Sequence, residues 1–367
     1  MKTIRTMKIK ISGQHKADAI LANWLTATNW LSNIVYKIKD VNSNRLHKAY
    51  YHIVREKFGL PSQLTCTLFR TVSATYKTQR SSKQWSLANY KRKTIPIVWK
   101  RDFAVTKKGV TLWSDIIKLN DPRKIPSNWK DSKLLFVKKQ WYLILSYEIE
   151  IPDNKETGTI VGVDQGIKRI FVASDSNNNK LFCKANHLNH KIFSIQRTRS
   201  KVQAVGSRSA KRLLIRMSKH QASVTEHAIH VASKRLVEWA DSVGARKIVI
   251  ENLSNIRSAG KNKGKQLRSK LNKWPYGMFT FYTTYKAAAK GITVETVSPR
   301  NTSRMCNKCG HIDESNRHGL KFSCRACGYT ADADWNASKN IASRYISIEL
   351  NSRDTGSHKS PKKRAVS

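Results

Sequence analysis

The chain has 367 residues, enough for two or three domains, and its 40% hydrophobic fraction can supply ordinary buried cores. Against 69 Lys plus Arg stand only 24 Asp plus Glu, a formal +45 that exceeds what solubility needs and favours a polyanionic partner. A polybasic membrane anchor would concentrate this charge, but here it runs along the whole sequence, interleaved with ten Trp, twelve Tyr and ten Phe. That pattern suits phosphate contacts and base stacking. No apolar run of about 18 residues exists, and the first seven residues lead into a strand rather than a signal-peptide core. The expectation is a protein of the cytoplasm with no membrane partner.

Lys8 to Ser12 alternates like a strand and stops at Gly13. From Lys16 to Lys39, Leu21, Trp24, Leu25, Leu31, Val35 and Ile38 recur at helical spacing. Further helices are predicted from Leu46 to Phe58 and from Ser62 to Gln79, the latter opened by Pro61. The period then shortens to strands: Ile95–Trp99, Phe103–Thr106, Gly109–Trp113, Leu134–Val137 and Trp141–Ile149. Together with the first strand these could close a small barrel into which the helices are inserted, with about half of its aromatics as core.

The polar turn from Pro152 to Gly158 marks a domain boundary. After it come a buried-type strand, Thr159 to Asp164, and two antiparallel followers, Ile170–Ser174 and Lys180–Cys183. His187 to Gly244 is mostly helical, and its first part is densely basic with almost no acid. A second buried strand, Arg246 to Glu251, precedes a Gly, Lys and Ser-rich stretch over Ser258–Lys273, expected to be mobile. An aromatic helix over Trp274–Lys290 and a strand over Thr293–Val297 follow.

Two CxxC knuckles, Cys306–Cys309 and Cys324–Cys327, stand fourteen residues apart, close to four-cysteine zinc spacing. Without a secretory signal a structural zinc is favoured over disulfides. Cys66 and Cys183 are isolated and read as reduced thiols. The helix after the ribbon carries Asp332 and Asp334 near its start.

Two apolar strands that each end in an acid need an explanation, because a carboxylate there pays desolvation unless it is paired or binds a metal. Asp164 and Glu251 fit that description, and Asp334 offers a third acid, with Asp332 as its rival. Each has an ordinary alternative. Asp164 before Gln-Gly could form a turn, Glu251 could pair with Arg246 or Lys247, and Asp334 could cap a helix. Taken together, three converging acids would stay ionised only around cations. Two magnesium ions about 3.5–4 Å apart would activate a water and stabilise the leaving oxygen of a phosphodiester. A basic surface with such a site reads as a nuclease.

Gly162-Val-Asp164-Gln-Gly-Ile-Lys, Ile250-Glu251-Asn-Leu, and the cysteine ribbon followed by Asp334-Trp-Asn-Ala-Ser-Lys-Asn-Ile resemble the three RuvC motifs and zinc ribbon of the TnpB family, RNA-guided nucleases of IS200/IS605-type insertion sequences. Thr302-Ser303-Arg-Met-Cys306 fits the family's Thr-Ser-x-x-Cys lead-in, and Ser338 replaces a common Ala. The resemblance is strong over about 158–345 and weaker before 150.

It implies an α+β multidomain fold: a wedge-type β-barrel over 1–15 and 92–152, a helical recognition insertion over 16–91, and an RNase H-like RuvC domain over 153–300 and 329–350. A zinc ribbon over 301–328 and a disordered basic tail over 351–367 complete it. It further implies Asp164, Glu251 and Asp334 as magnesium ligands, and Cys306, Cys309, Cys324 and Cys327 as zinc ligands. The partners implied are a guide RNA from the transposon end and double-stranded target DNA, bound by a monomer that reads a short adjacent motif. Ser62, Gln63 and Cys66 are candidate contacts to that motif. The rival readings are a nuclease-inactive RNA-guided repressor and a guide-free zinc-ribbon DNA-binding protein.

Overall fold

The computed structural model describes residues 2–11, 15–106, 109–113, 115–117, 128–137, 139–254, 264 and 274–354. The basic stretch over 258–273 and the tail beyond 354 therefore lie outside the described residues, apart from Gly264. The chain divides into two compact units, Met1–Glu150 and Ile151–Ser367.

In the first unit, β1 (Lys2–Ile11) leads into α1 (His15–Ile38), α2 (Ser43–Phe58) and α3 (Ser62–Ser81). The strands β2 (Thr94–Ile97), β3 (Phe103–Thr106), β4 (Gly109–Leu112), β5 (Asp115–Ile117), β6 (Trp129–Val137) and β7 (Gln140–Glu150) follow. They form two sheets, ordered β1-β7-β6-β2 and β3-β4-β5, and no ladder joins the two among the described residues. β1 begins earlier than its alternation suggests, because all ten of its residues pair with β7. One core holds Met7, Ile9 and Leu143 from the strands together with Trp24, Leu31, Leu68 and Tyr76 from the helices.

The second unit is built on a five-stranded sheet, β10-β9-β8-β11-β12. Its strands are β8 (Thr159–Gln165), β9 (Arg169–Ser174), β10 (Lys180–Lys184), β11 (Ala245–Glu251) and β12 (Thr293–Val297). The first three run antiparallel, whereas β8, β11 and β12 are parallel. Between β10 and β11 stand α4 (Asn186–Val205) and the 35-residue α5 (Arg208–Ser242); α6 (Tyr276–Ala288) precedes β12. Three short strands, β13 (Arg317–His318), β14 (Lys321–Ser323) and β15 (Thr330–Asp332), belong to the ribbon, and α7 (Ala333–Asp354) ends the described chain.

The period of two decides which side chains meet which layer. Val161, Val163, Ile248 and Ile250 pack with Ile229, Leu236 and Phe279 of α5 and α6. The alternate positions Ile160 and Val249 pack instead on Ile341 and Ala342 of α7. Gly162 lies on this second face, where a Cβ would collide with the Ser338 carbonyl oxygen and stand 2.7 Å from the Ala342 nitrogen. The missing side chain thus lets helix backbone touch strand backbone. Gly162→Ala is expected to cost about 3 kcal/mol or more, because neither backbone can yield. A denaturant midpoint equal to that of the parent would contradict this packing.

Candidate active site

Parallel pairing of Val163 with Ile250 carries β8 and β11 to the same edge of the sheet, where Asp164 and Glu251 are the next residues. Both are buried, as is Asp334 in the first turn of α7. Asp164 shares the face of Gly162, so it points to the side on which α7 lies. Its carboxylate has no hydrogen-bond donor among the described residues. Burial first, and then the charges of Glu251 and Asp334, push its carboxyl well above the usual aspartate range, partly offset by Arg317 and Arg169. Burial likewise raises Glu251, although a hydrogen bond donated by the Thr302 hydroxyl opposes the shift.

The sequence left Asp332 and Asp334 as rivals, and the geometry separates them. Asp332 accepts two hydrogen bonds from Arg169, at 2.6 and 2.7 Å, and two more from the backbone N–H groups of Asp334 and Trp335. It starts the helix and fixes an arginine, so its oxygens are spent. Asp334 lies near enough for its charge to act on Asp164, and Arg317 donates to one of its oxygens at 2.6 Å and Arg169 to the other at 3.2 Å. Asp175, just past β9, is also buried, yet it accepts from the N–H groups of Asn177 and Asn179 and serves a turn. Asp332→Ala is therefore expected to lower stability by about 1–3 kcal/mol through the lost cap and ion pair. Any phosphodiesterase activity should persist in this variant; a complete loss without unfolding would return Asp332 to the list of ligands.

The donor set suits hard cations. Three acids bring oxygen donors, one of them unpaired, into a buried setting where mutual repulsion needs cationic neutralisation. The two arginines meet part of that need, through hydrogen bonds to Asp334 and through their charge at Asp164.

The ribbon suits zinc. Each knuckle has the form Cys-x-x-Cys-Gly, and Gly310 and Gly328 adopt left-handed backbone with φ of 76° and 69°. The turns are matched: Gly310 N–H bonds the Cys306 carbonyl and Gly328 N–H that of Cys324. The four sulfurs lie within 4.8 Å of one another, with Cys306 to Cys327 at 3.8 Å and Cys309 to Cys324 at 3.6 Å. A tetrahedron with Zn–S near 2.3 Å requires edges of about 3.8 Å. Among the described residues this is the one group of three or more His, Cys, Asp or Glu whose ligand atoms gather so tightly.

Two asparagines join ribbon to helix. Asn336 donates to the Met305 carbonyl and accepts from Asn307 N–H, while Asn340 donates to the carbonyls of Thr302 and Met305. Ser338, the small residue between them, is buried and bonds Ser174 on β9 at 2.8 Å. These asparagines, Arg169, Arg317 and Thr302 carry no functional reading at the sequence level. The visible signals were the i, i+4 spacing of Asn336 and Asn340 and the Thr302-Ser303 lead-in to Cys306.

In the first unit, Ser62 is exposed at the start of α3, and Gln63 and Cys66 are half-buried, the Cys66 sulfur lying 3.5 Å from His47 Nε2. No helix among the described residues is long and apolar enough to cross a membrane.

A family model described as a probable transposase, OrfB_IS605, matches residues 144–257, and a Cas12f1-like TNB domain model matches 276–341. A TnpB-like protein of Methanocaldococcus jannaschii is 30% identical over 257 residues, covering 66% of this chain and 87% of that protein. The chain belongs to the TnpB family. The expected resemblance is thereby confirmed, and the two model matches lie almost wholly in the second unit. A CRISPR-associated endodeoxyribonuclease Cas12f1 of Sulfoacidibacillus thermotolerans is 30% identical over 220 residues, 56% of this chain but 50% of that protein. A putative RNA-guided DNA endonuclease InsQ of Escherichia coli is 26% identical over 214 residues, 55% and 53% of the two chains. The chain thus spans about half the length of these two relatives. Among solved structures, CasPhi-2 (Cas12j) bound to crRNA aligns over 93% of this chain and 98% of its own with a TM-score of 0.51 at 10% identity, a likeness of fold.

Proposed function

We propose that this chain is an RNA-guided DNA endonuclease that hydrolyses phosphodiester bonds next to a short adjacent motif. The observation that carries the reading is the meeting of three buried acids from β8, β11 and α7 inside a chain of +45. Asp164, Glu251 and Asp334 would hold magnesium, which when bound supplies Lewis acidity to the attacking water and the leaving oxygen. The protein's own part is orientation. Thr302 fixes Glu251, and Arg169 and Arg317 hold Asp334 and add positive charge beside the position of the scissile phosphate. Cys306, Cys309, Cys324 and Cys327 would hold a structural zinc.

Guide RNA and target DNA fit the basic surface. Residues 186–220 of α4 and α5 hold nine Lys and Arg and no acid, and Arg197, Lys201, Lys211, Arg212, Arg216 and Lys219 are exposed. Residues 153–300 and 329–350 would be the nuclease domain and 301–328 the ribbon. The first unit's sheets would be the wedge-type barrel, with α1–α3 inserted into it to read the motif near Ser62, Gln63 and Cys66. The chain would act as a monomer.

The test is cleavage of plasmid DNA by protein purified with RNA from its own locus. Cutting that requires magnesium and follows a reprogrammed guide supports the reading. Guided binding without nicking would leave a repressor, and tight RNA-free binding to one duplex would leave a zinc-ribbon DNA-binding protein.

A further inference from the structure

Asp164 and Gln165 are neighbours on β8 and face opposite sides of the sheet. Asp164 turns toward α7, whereas Gln165 turns toward α6, where its amide nitrogen lies 3.5 Å from the Thr280 hydroxyl. On that side a cavity of about 470 Å³ is lined by Glu251, Asn252, Trp274, Tyr276, Thr280 and Phe281 as well as Gln165. This lies within the roughly 300–1,000 Å³ of ordinary ligand pockets. Three aromatic residues shape it. Trp274 and Tyr276 are buried, while Phe281 is 66% exposed at its rim.

Two features of this cavity are unexplained by folding. Gln165 is 7% exposed, and its Oε1 is buried with no hydrogen-bond partner among the described residues. Such an acceptor costs free energy unless a ligand donates to it. Phe281, with Tyr285 at 40% and Met278 at 37% exposure, leaves an apolar helix face in water. The acids are close at hand: their charges, after burial, help push the Tyr276 phenol up to about 12.

We infer that this cavity receives one unpaired base of a single-stranded DNA, stacked on Phe281 and hydrogen-bonded through a base N–H to Gln165 Oε1, while the adjoining phosphate lies at the acids. The inference rests on the nuclease reading above and deepens it by naming the residues that seat a base beside the reacting phosphate. An aromatic platform is sequence-tolerant, because every base presents a π-face. A base still paired in a duplex cannot enter, so the cavity selects strands already opened. It also positions the reacting phosphate, since a base held on Phe281 limits where the attached backbone can lie.

Photo-cross-linking of the full-length protein to an oligothymidine carrying thiothymidine tests this, with calcium in place of magnesium so that oxygen ligands are filled. The cross-link should fall on the tryptic peptide Trp274–Lys286. It should drop about tenfold in Phe281→Ala, return in Phe281→Trp, and be absent when the strand is annealed to its complement. Phe281 is exposed enough for its replacement to leave folding intact. Cross-links confined to the basic helices, or an unchanged yield in Phe281→Ala, would overturn the inference. Cleavage is measured separately in magnesium. A cross-link at this peptide in a protein that never cuts refutes the nuclease reading and keeps the base site; cutting with no cross-link there does the reverse.

Discussion

Asp164→Ala is expected to remove cleavage of guided target by at least about a thousandfold in kcat, with binding of guide and target retained. Asp164 is the acid without a donor among the described residues, so the substitution strips no structural hydrogen bond. A second effect has the opposite sign. Without magnesium the isosteric Asp164→Asn should raise stability by about 1–3 kcal/mol, because it deletes a buried charge repelled by Glu251 and Asp334.

The direction with pH follows from linkage. The folded protein holds this proton more tightly than the unfolded chain, so the site's contribution is fully favourable below the ordinary value of 3.8 and is lost as pH rises through the higher folded value. In magnesium-free buffer without chelator, wild type should therefore lose stability over that range, Asp164→Asn should lose less, and magnesium should restore the wild type alone. Thermal melts across pH with and without magnesium give all three comparisons. A less stable Asp164→Asn in magnesium-free buffer would mean that the carboxylate has an unrecognised structural partner.

Removal of zinc, by chelation or by Cys324→Ser, is the other large effect. A structural zinc contributes on the order of 10 kcal/mol of folding free energy, comparable to the roughly 5–15 kcal/mol stability of a whole domain. The ribbon has little else, its small core being Phe322 and Ala333 packed with Cys306 and Cys324. Its loss would release the carbonyls of Thr302 and Met305 from Asn336 and Asn340, and with them the start of α7. Stability, resistance to proteolysis around 301–330 and cleavage should fall together. Asp334→Ala should abolish cleavage and leave guided binding largely intact. Equal loss of binding in both variants would assign Asp334 a structural role instead.

The legibility of these features in the sequence follows the range of the interactions. Asp164 and Glu251 stand out because an apolar strand that ends in an acid is a local contradiction, visible within seven residues. The knuckles are equally local. Asp332 and Asp334 could not be separated, because Arg169 lies 163 residues from the first and 165 from the second. The role of Gly162 was hidden for the same reason, since the atoms that crowd it belong to a helix at the other end of the unit. Short strands such as β5 and β13–β15 are set by pairing partners rather than by period. Strands of two or three residues carry too few positions to show alternation.

The bare backbone contact at Gly162 has one further consequence. Because α7 rests on β8 through main-chain atoms, the separation of Asp334 from Asp164 is set by peptide geometry and not by the bulk of intervening side chains. Chimeras that exchange the ribbon between relatives, or trim the turns between its knuckles, can then leave the spacing of the acids unaltered. The condition is that the helix still seats Ser338 and Ala342 over that glycine.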